Sequence, residues 1–259
     1  MVNHPINWGK NNQLNFDNNY NVILDTTRQY VSDRLYINDG KKFIDKTKAY
    51  GVDNIAFGLS ASISDVNGDG YPDIYVANDY VSPDHMYINQ AGKGFKDEIL
   101  KYFKNIPTTS MGSDFVDINS DGKFDLFVND MQGESSTRMK ESKSFVNYDA
   151  HLLAKKHAYH DQFRYNTMQI STGKGFSNIA QLTNTSKTEW SWAVLGADYD
   201  HNGHDDLFIT NGYYIDANNL DYNMFLLDSL RKNTKQDEFF KKWRQTLTRY
   251  PSKNYFFSN

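Results

Sequence analysis

Three nine-residue stretches carry side chains suited to a hard cation: "DVNGDGYPD" at 65–73, "DINSDGKFD" at 117–125 and "DYDHNGHDD" at 198–206. Each has Asp first, Asn or Asp third and fifth, Gly sixth and Asp ninth. Alternation aims successive side chains inward, and the glycine permits a sharp turn. Carboxylate and amide oxygens from positions 1, 3, 5 and 9, with a backbone carbonyl from 7, form an all-oxygen set of high coordination number, which suits calcium. The candidate ligands are Asp65, Asn67, Asp69 and Asp73; Asp117, Asn119, Asp121 and Asp125; and Asp198, Asp200, Asn202 and Asp206. The carbonyls of Tyr71, Lys123 and His204 stand at position 7. Magnesium demands near-ideal octahedral geometry and keeps several waters, and zinc prefers nitrogen and sulfur, so both fit less well. An EF-hand needs Glu at position 12 and a helix after it; Val76, Val128 and Ile209 stand there, inside apolar runs. The plainer alternative is a polar turn, because Asp, Asn and Gly favour turns on their own account.

The spacing of the copies argues against three unrelated turns. An apolar run follows each loop, and Asn78, Asp130 and Asn211 stand at one common offset from the first Asp. A second element, "RLYINDGKKF", "HMYINQAGKGF" and "TMQISTGKGF", ends at Phe43, Phe95 and Phe176, each 22 residues before the next loop. The closing "NYFFSN" looks like a fourth copy of this hairpin. Each unit reads as strand, acidic loop, strand and Gly-turned hairpin. Four short strands in roughly 50 residues is the pattern of a β-propeller blade. Near-continuous apolar runs after each loop predict strands buried on both faces between neighbouring units.

Composition supports a packed β-rich chain. Of 259 residues 39% are hydrophobic and 15% aromatic, which disfavours disorder. The absence of cysteine excludes disulfides, thiolate metal sites and cysteine nucleophiles. The net charge is −4, and without the nine acidic members of the three ligand sets it would be +5. Negative charge is therefore concentrated in the loops, where repulsion between carboxylates calls for a counter-cation. There is no basic run of the kind that marks a nucleic-acid footprint, no apolar run long enough to span a bilayer, and no signal-peptide pattern at the start.

Two segments break the period. Residues at about 134–162 read as a helical insertion with Phe145, Tyr148, Leu152 and Leu153 at helical spacing, and about 218–250 as two amphipathic helices whose faces carry Met224, Phe225, Leu227, Leu230, Phe239, Phe240, Trp243 and Leu247. His151, His157 and His160 lack any metal-ligand signature such as HExxH and read as ordinary surface or packing residues. Trp190 and Trp192 read as core residues in preference to a sugar-stacking platform. No serine lies in a GxSxG context, so no hydrolase triad is supported.

With "DVNGDGYPDIYVANDYVSPDHMYIN", "SMGSDFVDINSDGKFDLFVND" and "TEWSWAVLGADYDHNGHDDLFITNGY" laid out, the chain resembles the FG-GAP-like or VCBS repeat family, in the branch linked to ASPIC/UnbV-type bacterial proteins. The resemblance covers most of residues 34–216. It implies a propeller related to the integrin α-chain head, usually seven-bladed, with calcium in the blade loops and an exported or cell-surface life. It implies no established chemistry. The expected organisation is a partial all-β propeller with the rest of the ring in a parent protein: an incomplete first blade at 1–50, then blades at 51–104, 105–185 and 186–259, each with one loop and so about three calcium ions. The expected function is a non-catalytic module that binds a protein or carbohydrate ligand. The alternative is a calcium-dependent polysaccharide-active enzyme of lyase type.

Overall fold

The computed structural model describes residues 32–79, 82–142, 159–212, 216, 219–232 and 249–259, with positions 15–16, 22–23, 152, 155–156 and 245. Most of the expected first unit, His151, His157, Phe145, Tyr148, Leu153, Phe239, Phe240, Trp243 and Leu247 lie outside the described residues.

In chain order, β1 (Asn15–Phe16) pairs with β2 (Val22–Ile23), and β3 (Tyr36–Asn38) with β4 (Phe43–Asp45). Strands β5 (Phe57–Ser64), β6 (Asp73–Asp79), β7 (His85–Asn89) and β8 (Phe95–Asp97) form an antiparallel meander, each pairing with the next. After helix α1 (Ile99–Tyr102) and the short β9 (Ile106–Pro107) come β10 (Ser113–Val116) and β11 (Asp125–Val128). Beyond these lie β12 (Met131–Gln132), helix α2 (Ser136–Glu141), β13 (Gln162–Phe163), β14 (Thr167–Ser171) and β15 (Phe176–Asn178). The second meander is β10-β11-β14-β15. The third combines β16 (Glu189–Ala197), β17 (Asp206–Asn211) and β18 (Tyr255–Phe257), with helix α3 (Leu220–Lys232) inserted before β18; β12 from the preceding unit adds to the outer side of β16. The chain is thus mostly β, built of consecutive antiparallel sheets, with only β9 and β13 pairing in parallel among the described residues.

The uninterrupted apolar runs are explained by alternation between two cores. From β11, Leu126 and Val128 pack with Tyr75, Ala77, Met86 and Ile88 of the first meander, while Phe127 points the other way onto Leu207 and Ile209 of the third. From β6, Tyr75 and Ala77 face the second meander, and Val76 faces Val52 and Leu35 beside the β3–β4 hairpin. The middle strands β6 and β11 are buried on both faces, as the sequence leads one to expect, whereas β17 buries Leu207 and Ile209 on one face and leaves Phe208 and Thr210 half-buried on the other. Helix α1 was not foreseen. Its four residues carry Ile99 and Tyr102 into the core, and the following Phe103 stacks on Phe176 with ring centroids 4.6 Å apart.

The first strands of successive meanders lie side by side. Ser60 and Ser62 on β5 reach Ser113 of β10 at 2.9 and 2.7 Å. Gly196 of β16 donates its N–H to Asp114 at 2.9 Å. A Cβ on Gly112 would stand 2.6 Å from the Trp192 carbonyl oxygen, so only glycine lets these backbones meet.

Among the described residues the first insertion holds helix α2, six residues long, with positions 152 and 155–156 also helical and β13 at the end of its span, and the second holds helix α3, with position 245 also helical. Arg138 of α2 ties the insertion to the third sheet: it pairs with Asp216 at 2.9 Å and Glu189 at 3.7 Å, and lies over the Tyr250 ring at 4.0 Å.

Candidate metal centre

Each acidic stretch is the connection between the first and second strands of its meander. Position 9 opens the second strand, directly opposite the residue that precedes position 1: Ser64 faces Asp73, Val116 faces Asp125 and Ala197 faces Asp206. The eight residues between must reverse the chain, and they do so through left-handed backbone at positions 4 and 6. The φ values are +72°, +55° and +61° at Gly68, Ser120 and His201, and +85°, +81° and +90° at Gly70, Gly122 and Gly203.

The side chains at the odd positions hold this turn by one bond pattern repeated three times. Position 1 accepts the N–H groups of positions 5 and 6: Asp65 from Asp69 and Gly70 at 3.1 and 2.7 Å, Asp117 from Asp121 and Gly122 at 3.0 and 2.9 Å, and Asp198 from Asn202 and Gly203 at 3.0 and 2.9 Å. Position 3 accepts from position 5, as in Asp69 N–H to Asn67, Asp121 N–H to Asn119 and Asn202 N–H to Asp200, at 2.9 to 3.1 Å. Position 5 accepts from position 7, where Tyr71, Lys123 and His204 donate their N–H at 2.8 to 2.9 Å.

Position 9 is the buried member. Asp73, Asp125 and Asp206 are at most 1% exposed, whereas Asp69, Asp121 and Asn202 are open to solvent. One oxygen accepts the position-2 N–H, from Val66, Ile118 or Tyr199 at 3.0 to 3.2 Å. The other accepts a backbone N–H from the last residue of the meander's third strand or from two residues beyond it: Asn89 at 2.8 Å, Ser171 at 2.7 Å and Asn259 at 2.9 Å. Burial pushes the Asp125 carboxyl up to about 6, against the lowering effect of its two N–H donors, and raises Asp73 by the same cause. A buried carboxylate held by only two donors keeps acceptor capacity for a further partner, and a cation beside it would favour the ionised form.

In the third loop the carboxylates converge. Asp198, Asp200 and Asp206 each offer an oxygen within 4.8 Å of the others, which is the spread of ligands lying roughly 2.3–2.6 Å from one central calcium ion. In the first two loops position 3 is an amide, and the outer oxygen of position 5 is engaged elsewhere. Asp69 accepts the Asn67 amide at 3.0 Å and Asp121 pairs with Lys123 at 3.2 Å, the latter holding the Asp121 carboxyl below its usual range.

Two sets of functional residues escaped the sequence reading. Asn89, Ser171 and Asn259 anchor position 9, and Asp84, Asn166 and Asn254 stand just before the third strand of each meander, accepting the N–H of Asn78, Asp130 and Asn211, each at 2.8 Å. The signal was present, since aligning the three hairpins puts Asp or Asn before each. Of the other candidates, His160 is buried and donates from Nε2 to the Phe103 carbonyl at 2.9 Å, an ordinary packing role. Trp192 corrects the expectation of a core residue: it is 48% exposed, with its indole N–H on the Gly212 carbonyl at 2.6 Å, because its strand turns it away from the shared core.

Residues 65–128, from the first loop to the end of β11, match the model of the FG-GAP-like repeat. No curated protein matches the chain. Among the described residues no helix is long and apolar enough to cross a membrane.

Proposed function

We propose, from the FG-GAP-like repeat at residues 65–128, that this chain is a calcium-stabilised, non-catalytic segment of a β-propeller. The observation that carries the reading is the identical hydrogen-bond pattern of three loops that each hold a solvent-shielded carboxylate at position 9, with three carboxylate oxygens converging in the third. Asp65, Asn67, Asp69 and Asp73, and their counterparts in the other loops, would hold one ion each, with the Tyr71, Lys123 and His204 carbonyls completing each set. The ion's contribution is structural: it neutralises the clustered carboxylates and clasps the first two strands of each meander, stabilising the fold by mass action. The ring architecture is supported by the side-by-side first strands and by the packing of the second sheet between the first and the third.

The module's work is binding a protein or carbohydrate ligand. A groove of about 830 Å³ between the second and third meanders, lined by Glu134, Arg164, Tyr165, Lys187 and Tyr255 among others, offers the rings and polar groups such a ligand needs. We read the module as exported or cell-surface, the setting that resemblance to FG-GAP-like proteins implies, where calcium sites of about 10⁻⁴ to 10⁻³ M affinity are filled. The test is thermal unfolding with millimolar calcium and after chelation. A rise of several degrees with calcium, reversed by EDTA, supports the reading, and an unchanged melt after verified metal removal overturns it.

A further inference from the structure

The three loops are not equivalent in their surroundings. Among the described residues the first makes its hydrogen bonds within itself and to Asn89 of its own meander. The second and third are joined directly. Asp205, at position 8 of the third loop, accepts the N–H of Asp117, position 1 of the second, at 3.3 Å. The His204 ring meets the Ser120 hydroxyl at 2.8 Å. Asn259 completes the link: its backbone N–H is held by Asp206 at 2.9 Å and its amide donates to the Ile118 carbonyl at 2.6 Å, while the Ile118 N–H is held by Asp125 at 3.2 Å. Asn259 and Ile118 together thus connect the two buried position-9 carboxylates, Asp206 and Asp125. Asn202 at position 5 also donates to the Asn259 carbonyl at 3.2 Å.

We propose that the second and third loops take up calcium as a positively coupled pair while the first binds alone. The inference rests on the reading of the loops as calcium sites. An ion in the third loop orders Asp198 to Asp206, and with them Asp205, His204 and Asn259, each of which grips the backbone or Ser120 of the second loop. The second loop then meets its own ion with part of its ordering already done, so its affinity rises. Reciprocity requires the same factor in the other direction. The fields of the two ions oppose this, but at 0.15 M salt they are screened over about 8 Å, whereas direct hydrogen bonds are not screened in that way.

The experiment is calorimetric calcium titration in 0.15 M salt of the full chain with the first loop disabled by Asn67→Ala and Asp69→Ala, leaving two sites. In that background Asn119→Ala with Asp121→Ala disables the second loop through exposed positions. The third loop should then bind about fivefold more weakly or worse, the low end of typical coupling. Ser120→Ala with Asp205→Ala and Asn259→Ala, which removes the side-chain links between the loops and leaves every named ligand in place, should abolish the difference. As a second readout, calcium added to the chain with its second loop disabled should slow hydrogen exchange at the Asp117 amide, which Asp205 holds. Affinity of the third loop within twofold whether or not the second is intact, with no change in exchange at Asp117, overturns the coupling and leaves the calcium reading standing. Binding at neither loop overturns both.

Discussion

Asp84 accepts the backbone N–H of Asn78 at 2.8 Å, and the same bond at the same length joins Asn166 to Asp130 and Asn254 to Asn211. It closes the second-to-third strand connection at the end of each sheet remote from the acidic loop. Asp84 differs from its two counterparts in being ionisable. It is 1% exposed and also receives the hydroxyls of Tyr75 and Ser110.

Burial raises the Asp84 carboxyl from 3.8 to about 7, against the lowering effect of its donors and of His85. Between those values the folded chain binds more protons than the unfolded one, so this group's contribution is full below about pH 4 and is lost as pH climbs through 7. Asp84→Asn places the side chain found in the other two units and removes the titration. The stability of the wild type minus that of the variant should fall between pH 4 and 7.5, by up to a few kcal/mol, since each tenfold change in acidity on folding is worth about 1.4 kcal/mol. Urea unfolding across that range checks it, and a flat difference contradicts it.

Position 9 and position 3 should separate structural from ligand roles. Asp206→Ala leaves the part-buried Tyr199 and Asn259 N–H groups without their acceptor and empties a buried position, a loss of about 1–3 kcal/mol even with chelator present. Asp200→Ala is solvent-facing and should alter stability in chelator by no more than about 0.5 kcal/mol, while weakening calcium uptake. Equal losses in chelator would show that the two side chains do not divide the work in this way.

Two glycines should respond differently to alanine. At Gly122 a Cβ meets nothing within 4 Å, so only the φ of +81° opposes it, at about 1 kcal/mol. At Gly112 the Cβ would lie 2.6 Å from the Trp192 oxygen and 2.7 Å from the Ala193 Cα. Backbone cannot give way as a side chain can, so β10 and β16 must part, at about 3 kcal/mol or more. Chemical unfolding of both variants ranks them; Gly112→Ala as mild as Gly122→Ala would refute the close approach of the first strands.

How much of this could be read beforehand depends on the range of the interaction. The loops, the strands on either side and the hairpins ending at Phe95 and Phe176 are local patterns, and the 22-residue spacing made them visible as units. The double burial of β6 and β11 followed from their unbroken apolar runs. Contacts set by which units are neighbours were not visible: Asp205 on the Asp117 N–H spans 88 positions and Asn259 on the Ile118 carbonyl spans 141. Helix α1 is too short to show a period. Trp192 was misread because burial in a strand depends on what covers each face, and the residue type says nothing of that. Asn202 at position 5 removes a charge from the third loop, yet this is where carboxylates converge, because Asp200 replaces an amide at position 3.

The most direct test of the account is calcium stoichiometry, measured by calorimetry on chelator-stripped protein. Three ions should bind per chain at submillimolar to millimolar calcium, with one lost in Asn67→Ala/Asp69→Ala, one in Asn119→Ala/Asp121→Ala and one in Asp200→Ala. No stoichiometric uptake at millimolar calcium, or uptake unchanged by these substitutions, would contradict it.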